Sequence, residues 1–166
     1  MGGNGRLTIG SNVVVIVRLS NSGTPSSAKS ETWQLSAQLA DGSVHHGHLV
    51  AFIFDETHIC TDVPGKAWVV AKEDQIFNKT SRIIDRNGQE EGIVSYAFPE
   101  VGWSKLSNGG TAFTLSVQDI AGNVVTDTQT MQRLEARQNG FNVGMKHPIP
   151  IDDSGCFTQQ APLVAP

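Results

Sequence analysis

Three imidazoles stand almost side by side in His45-His46-Gly47-His48, the densest group of metal-binding side chains in a chain of 166 residues. Successive side chains on a strand point to opposite faces, so His46 and His48 would share a face and His45 would oppose them. Two imidazoles at that spacing suit zinc or another divalent cation once a third ligand joins them. Asp55, Glu56 and His58 are the nearest donors. The same residues also read as a solvated strand face near a turn, or as a patch that gains charge as the pH falls.

Other reactive types are scattered. Asp55-Glu56 and Glu90-Glu91 are adjacent carboxylates, but neighbours on a strand diverge, so neither pair forms an acid–base dyad alone. Asp119 and Asn123 suit either a calcium-binding turn or a plain turn closed on backbone amides. Cys60 and Cys156 lack C-x-x-C spacing. They could close one large loop, worth about 4–5 kcal/mol in the chain-entropy model, or remain two thiols. His58 lies two residues before Cys60, where it could lower the thiol's pKa. The chain has no G-x-S-x-G elbow, P-loop or dinucleotide fingerprint. Asn78-Lys79-Thr80 fits a glycosylation sequon. Trp68 lies in an apolar run and reads as core, Tyr96 sits in a strand pattern, and Trp103 falls in a loop-like segment as a candidate contact residue. The chain therefore offers no catalytic set and calls for no cofactor apart from the divalent metal at His46 and His48.

Composition narrows the classes. Leu, Ile, Val and Phe number 43, about a quarter of the chain, which is more than disordered segments carry. Val, Ile and Thr total 39 against 22 for Glu, Lys and Leu, a β-rich balance. The formal charge is −4 and no three Lys or Arg adjoin, so a nucleic-acid partner is not expected. The longest uncharged apolar runs, Val13–Val17 and Leu49–Phe54, are too short for a membrane span. The first ten residues lack the apolar segment of a secretory signal, and Arg6 stands where a myristoylation motif wants Ser or Thr. The expected setting is the cytoplasm, or the cell envelope if the chain is an excised domain.

The elements follow from periodicity and turn chemistry. Asn12–Leu19 reads as a strand. Trp33, Leu35, Ala37 and Leu39 alternate with polar residues, giving a second strand with one buried face. Asp41-Gly42 then turns the chain into a return strand, Ser43–Phe54, with Val44, Val50, Phe52 and Phe54 in register. No order of elements emerges for 55–87. Asn87-Gly88 marks a turn before Gly92–Phe98, and Thr111–Ile120 pairs through Ala121-Gly122-Asn123 with Val124–Met131. Four of the seven prolines fall in the last 19 residues. A packed body over 1–135 and an irregular Pro/Gly-rich extension over 136–166 follow.

Six or seven short strands and no long helical pattern predict an all-β, antiparallel sandwich. The segment TAFTLSVQDIAGNVV at 111–125 resembles the last hairpin of bacterial immunoglobulin-like (fibronectin type III-like) domains, and Trp33 is similar to their buried core tryptophan. No cysteine pair flanks Trp33 as in antibody-type domains. The resemblance implies a binding or structural module with a protein partner, such as an accessory domain of an envelope or surface protein. A cupin likeness fails, because Phe52 and Ile53 stand where the motif wants Glu. The alternative expectation is a metal-dependent enzyme or metal-binding protein built on His46 and His48. A component of a virion or cell appendage is a third.

Overall fold

The structure is a computed structural model that describes residues 11–60, 64–130 and 149–155. Its strands are β1 (Ser11–Ser20), β2 (Gln34–Gln38), β3 (Val44–His46), β4 (His48–Val50), β5 (Thr57–Cys60), β6 (Lys66–Val70), β7 (Gln89–Phe98), β8 (Ala112–Gln118), β9 (Val124–Thr130) and β10 (Ile149–Asp152). Two short helices, α1 (Ile76–Thr80) and α2 (Trp103–Leu106), interrupt them. All strand pairs are antiparallel, in three sheets ordered β1-β7-β4, β3-β2-β8-β9 and β10-β6-β5. The chain is all-β.

The first two sheets enclose one hydrophobic cluster. Val13 and Val17 of β1 and Val94, Tyr96 and Phe98 of β7 meet Leu35 and Ala37 of β2 and Phe113 and Val117 of β8, with Trp33 and Leu39 at the two ends of β2. The alternation in 33–39 therefore has the expected cause, since all four apolar residues are buried. Phe98 meets Phe113 edge to face across the cluster, with ring centroids 6.5 Å apart. β7 is buried on both faces: Ile93 and Ser95 are as hidden as Val94 and Tyr96. The cover beyond Ile93 is the segment before α1, where Gln75 pairs with Ile93 in a parallel bridge.

Turn chemistry places the hairpins where the sequence suggests. Gly42 adopts φ 84°, and Asp41 Oδ1 accepts from the Ser43 amide at 2.9 Å. Gly122 adopts φ 92°, and both Asp119 carboxylate oxygens are engaged by Asn123 at 2.8 Å. That is the plain-turn reading of Asp119 and Asn123.

The expected return strand Ser43–Phe54 is not one strand. β3 pairs with β2 through Ser36↔His46, whereas β4 pairs with β7 through His48↔Ala97, in the other sheet. The chain changes sheets at Gly47, and residues 51–56 belong to no strand. The cause is room. A Cβ on Gly47 would lie 2.8 Å from the Tyr96 Cβ and 3.0 Å from the Phe98 ring, while the Gly47 amide donates to the Leu35 carbonyl at 2.9 Å. Only a residue without a side chain can pass between the sheets there.

Residues 55–60 and 64–87 form β5, β6, a 3-10 turn over Lys72–Asp74 and α1. The third sheet built from them is completed by β10, so the stretch expected as an irregular extension contributes a paired strand. Pro150 is accommodated because, among the described residues, β10 is an edge strand bonded to β6 alone.

Gly47→Ala is expected to destabilise the fold by about 1–3 kcal/mol through overpacking, measured as a lowered urea midpoint. Gly102→Ala, where an added Cβ meets nothing within 4 Å, serves as the near-neutral control.

Candidate functional site

The crossing at Gly47 separates the histidines. His46 ends β3 and His48 begins β4, each exposed and each in a different sheet. The single strand on which their pairing depended is not formed. His45 is half-buried, with Nε2 3.2 Å from Ser43 Oγ. Of the donors considered as third ligand, Asp55 pairs with Lys72 Nζ at 2.8 Å and His58 Nδ1 lies 2.7 Å from Asp153 Oδ2. Among the described residues, no group of three or more His, Cys, Asp or Glu is placed to hold a metal ion.

The remaining reactive candidates are also engaged structurally. Cys60 is disulfide-bonded, so it offers no thiolate for His58 to activate. The sequence holds one other cysteine, Cys156, which lies outside the described residues. Glu91 bonds Arg18, its cross-strand partner in the β1–β7 register. Tyr96 is buried, its hydroxyl has no hydrogen-bond partner among the described residues, and burial pushes its pKa up.

The features built for contact are apolar. Ile53 and Phe54 are 74% and 66% exposed, yet the backbone beside them is fixed. Gln75, itself buried, accepts from the Phe52 amide through Oε1 at 2.6 Å and donates from Nε2 to the Phe52 carbonyl at 2.9 Å. Its amide thus acts as one more peptide unit in a ladder. Asp55 on the far side of the same segment meets Lys72 in a solvent-exposed ion pair, which adds little to the hold of Gln75. Two large apolar side chains are therefore presented on a held loop, with little ordering left to be done on contact. Gln75 is a residue that sequence reading passes over, because a glutamine before an apolar pair carries no pattern.

Trp103 opens α2 rather than lying in a loop, and it is 38% exposed. Its helix is pinned on either side by Val101 and Leu106, which are buried in the main cluster. An aromatic on a short rigid support, partly open to solvent, has the character of an interface anchor. Trp68 is half-buried in β6, opposite Ile59.

The third sheet carries the densest electrostatics. Lys66 bonds Asp152 and His58 bonds Asp153, so two consecutive carboxylates at the end of β10 each meet a basic group. The Asp153 amide donates to the Gly65 carbonyl at 2.9 Å. No signal for this pairing exists in sequence, since the partners are 86 and 95 residues apart.

No family model, curated protein or solved structure matches the chain. The function has to be argued from the molecule itself.

Gln75→Leu is expected to strand both polar groups of Phe52, costing about 1–3 kcal/mol and accelerating hydrogen exchange of the Phe52 amide. The carboxylates give a pH dependence with a defined sign. Lys72 holds Asp55, Asn123 holds Asp119, and His58 holds Asp153 below the usual carboxylate range. A carboxylate with a lowered folded-state pKa contributes stability above its unfolded value and loses it as the pH falls through the folded one. The urea midpoint should therefore drop on acidification from about pH 5 towards pH 2, and Asp119→Asn should lose less over that range than the wild type.

Proposed function

We propose that this chain is a non-enzymatic interaction module with an immunoglobulin-like sandwich as its frame. The strand orders support the frame. One sheet runs β1-β7-β4 and the other β3-β2-β8-β9, the B-E-D and C′-C-F-G arrangement of immunoglobulin-like domains. Trp33 is buried at the start of β2, the strand that corresponds to C. On this reading the segment between β4 and β7, which holds the third sheet, is an insertion between strands D and E.

The observation that carries the function is the presentation of large apolar side chains on fixed supports: Trp103 on α2, and Ile53 with Phe54 on the loop clamped by Gln75. A partner that buries such side chains gains their contact area at little conformational cost. The disulfide at Cys60 supports an oxidising compartment, and so the envelope or surface setting. The partner is a protein.

Site-specific photo-crosslinking in the source cells tests this. A photoreactive phenylalanine analogue in place of Trp103 is expected to give one dominant protein adduct, and the same residue in place of the exposed Thr24 is expected to give none. Equal labelling from both positions, or none from position 103, would overturn the assignment.

A further inference from the structure

An edge strand carries a row of unpaired backbone amides and carbonyls to which a further strand can bond, and folded chains blunt such edges. Most edges among the described residues are blunted. β3 and β4 are three residues long, β5 is four, and β10 is four with Pro150 among them. β9 turns Asp127 inward, opposite Leu115. β1 is different. It is ten residues long, stands at one end of the order β1-β7-β4, and pairs with β7 without a bulge from Ser11↔Phe98 to Ser20↔Gln89. Its other side meets no strand among the described residues. It holds no proline and a single charge, Arg18, which is paired with Glu91 of β7.

The side chains of β1 read nearly the same in both directions. Val13, Val15, Val17 and Leu19 belong to the main cluster or pack against it, so the odd positions face the core and the even ones the opposite face. On that opposite face the order is Asn12, Val14, Ile16, Arg18, which is polar, apolar, apolar, polar. A two-fold axis through Val15, perpendicular to the sheet, sets a second β1 antiparallel to the first. Asn12 then faces Arg18 of the second copy, Val14 faces Ile16, Val13 faces Val17, and Val15 faces its own equivalent. Each of these apolar pairs is β-branched, a combination that stabilises cross-strand contact. The arrangement gives each Arg18 a side-chain amide opposite it and no second cation. Moving the axis by one residue sets Arg18 against Val14, or Asn12 against Ile16. A half-step sets core-facing residues against outward-facing ones.

We propose that the outer edge of β1 is a self-association site, and that its occupant is β1 of a second copy of this chain. The two sheets then continue as one, in the order β4-β7-β1-β1-β7-β4, and each copy covers the other's edge. Backbone hydrogen bonds supply the attraction, while the Asn12–Arg18 match and the β-branched pairs fix the register. This surface goes beyond the interaction-module reading and uses none of the side chains on which that reading rests.

The test uses the full chain with its disulfide intact and follows sedimentation equilibrium over a range of protein concentration. The wild type is expected to pass from monomer to dimer and no further, because a two-fold pairing closes on itself. Position 12 offers a clean probe. Asn12 is exposed, and Arg18 of the same copy lies six residues along the strand, about 20 Å away and beyond a Debye length. Asn12→Arg sets like charges opposite each other at both ends of the pairing and should weaken dimerisation about tenfold, with circular dichroism unchanged. Asn12→Glu sets opposite charges there and should tighten it several-fold, a gain that added salt removes. Val15→Cys should link two copies through position 15 on mild oxidation, as read by mass spectrometry, whereas Asn12→Cys should give about tenfold less linkage or lower. A chain that stays monomeric at every concentration, equal effects of Asn12→Arg and Asn12→Glu, or equal linkage from positions 12 and 15 would each overturn the proposal.

Discussion

A single missing side chain lets the two main sheets share one continuous chain. At Gly47 the backbone leaves the β2–β8 sheet and enters the β7 sheet, in contact with the Tyr96 Cβ and the Phe98 ring. The amide of that residue still bonds Leu35, so the corner is made without leaving a buried donor unpaired. Tyr96 and Phe98 can then close the core from the β7 side, and Phe98 can meet Phe113 edge to face. The sandwich geometry, the separation of His46 from His48 and the departure of residues 51–56 from any sheet all follow from this one passage.

A second close approach attaches the inserted segment. A Cβ on Gly92 would lie 2.6 Å from the Asp74 carbonyl oxygen and 2.8 Å from the Ile76 Cα. Because position 92 has none, the stretch leading into α1 lies directly on β7 and buries Ile76 and Ile93. Gln75 is fixed between them by the bridge to Ile93, and its side chain is thereby aimed at Phe52. Lys79 adds to the attachment, its Nζ donating to the Glu91 carbonyl at 2.7 Å. The exposed Ile53 and Phe54 are thus held by a chain of contacts that begins in the central strand of the sandwich.

How much of this was legible depends on whether the signal was local. The alternation of Trp33, Leu35, Ala37 and Leu39 records a half-buried strand, and Asp41-Gly42 and Ala121-Gly122-Asn123 record the positive-φ turns that end such strands. These features are dictated within a few residues, and they emerged with nearly correct boundaries. Gly47 carries no local signal of its part in the fold, because that part depends on Tyr96 and Phe98, about fifty residues away. The order in 55–87 was opaque for a related reason: Lys66–Val70 becomes a strand by pairing with Thr57–Cys60 and with Ile149–Asp152, and its own pattern is short. The proline-rich end looked irregular because Pro cannot serve a central strand. It was compatible with an edge strand all along.

The sheet edges are not equivalent, and that difference bears on which of them could accept a further strand. β9 is seven residues long and exposed throughout. Its cross-strand partners Phe113 and Val117 lie on the core face, and Asp127 stands on that face opposite Leu115. A strand added beyond β9 would have to accommodate an inward-pointing carboxylate, a device that discourages edge-to-edge association. β6 has the opposite character. Ala67, Val69 and Val70 are buried, Lys66 at its start is matched to Asp152, and His58 on the adjoining β5 is matched to Asp153. Adding a strand there pairs opposite charges, whereas adding one at β9 brings the incoming strand against an inward-facing charge. The sequence thus protects the edge of β9 and leaves that of β6 complementary to a specific acidic segment, its own.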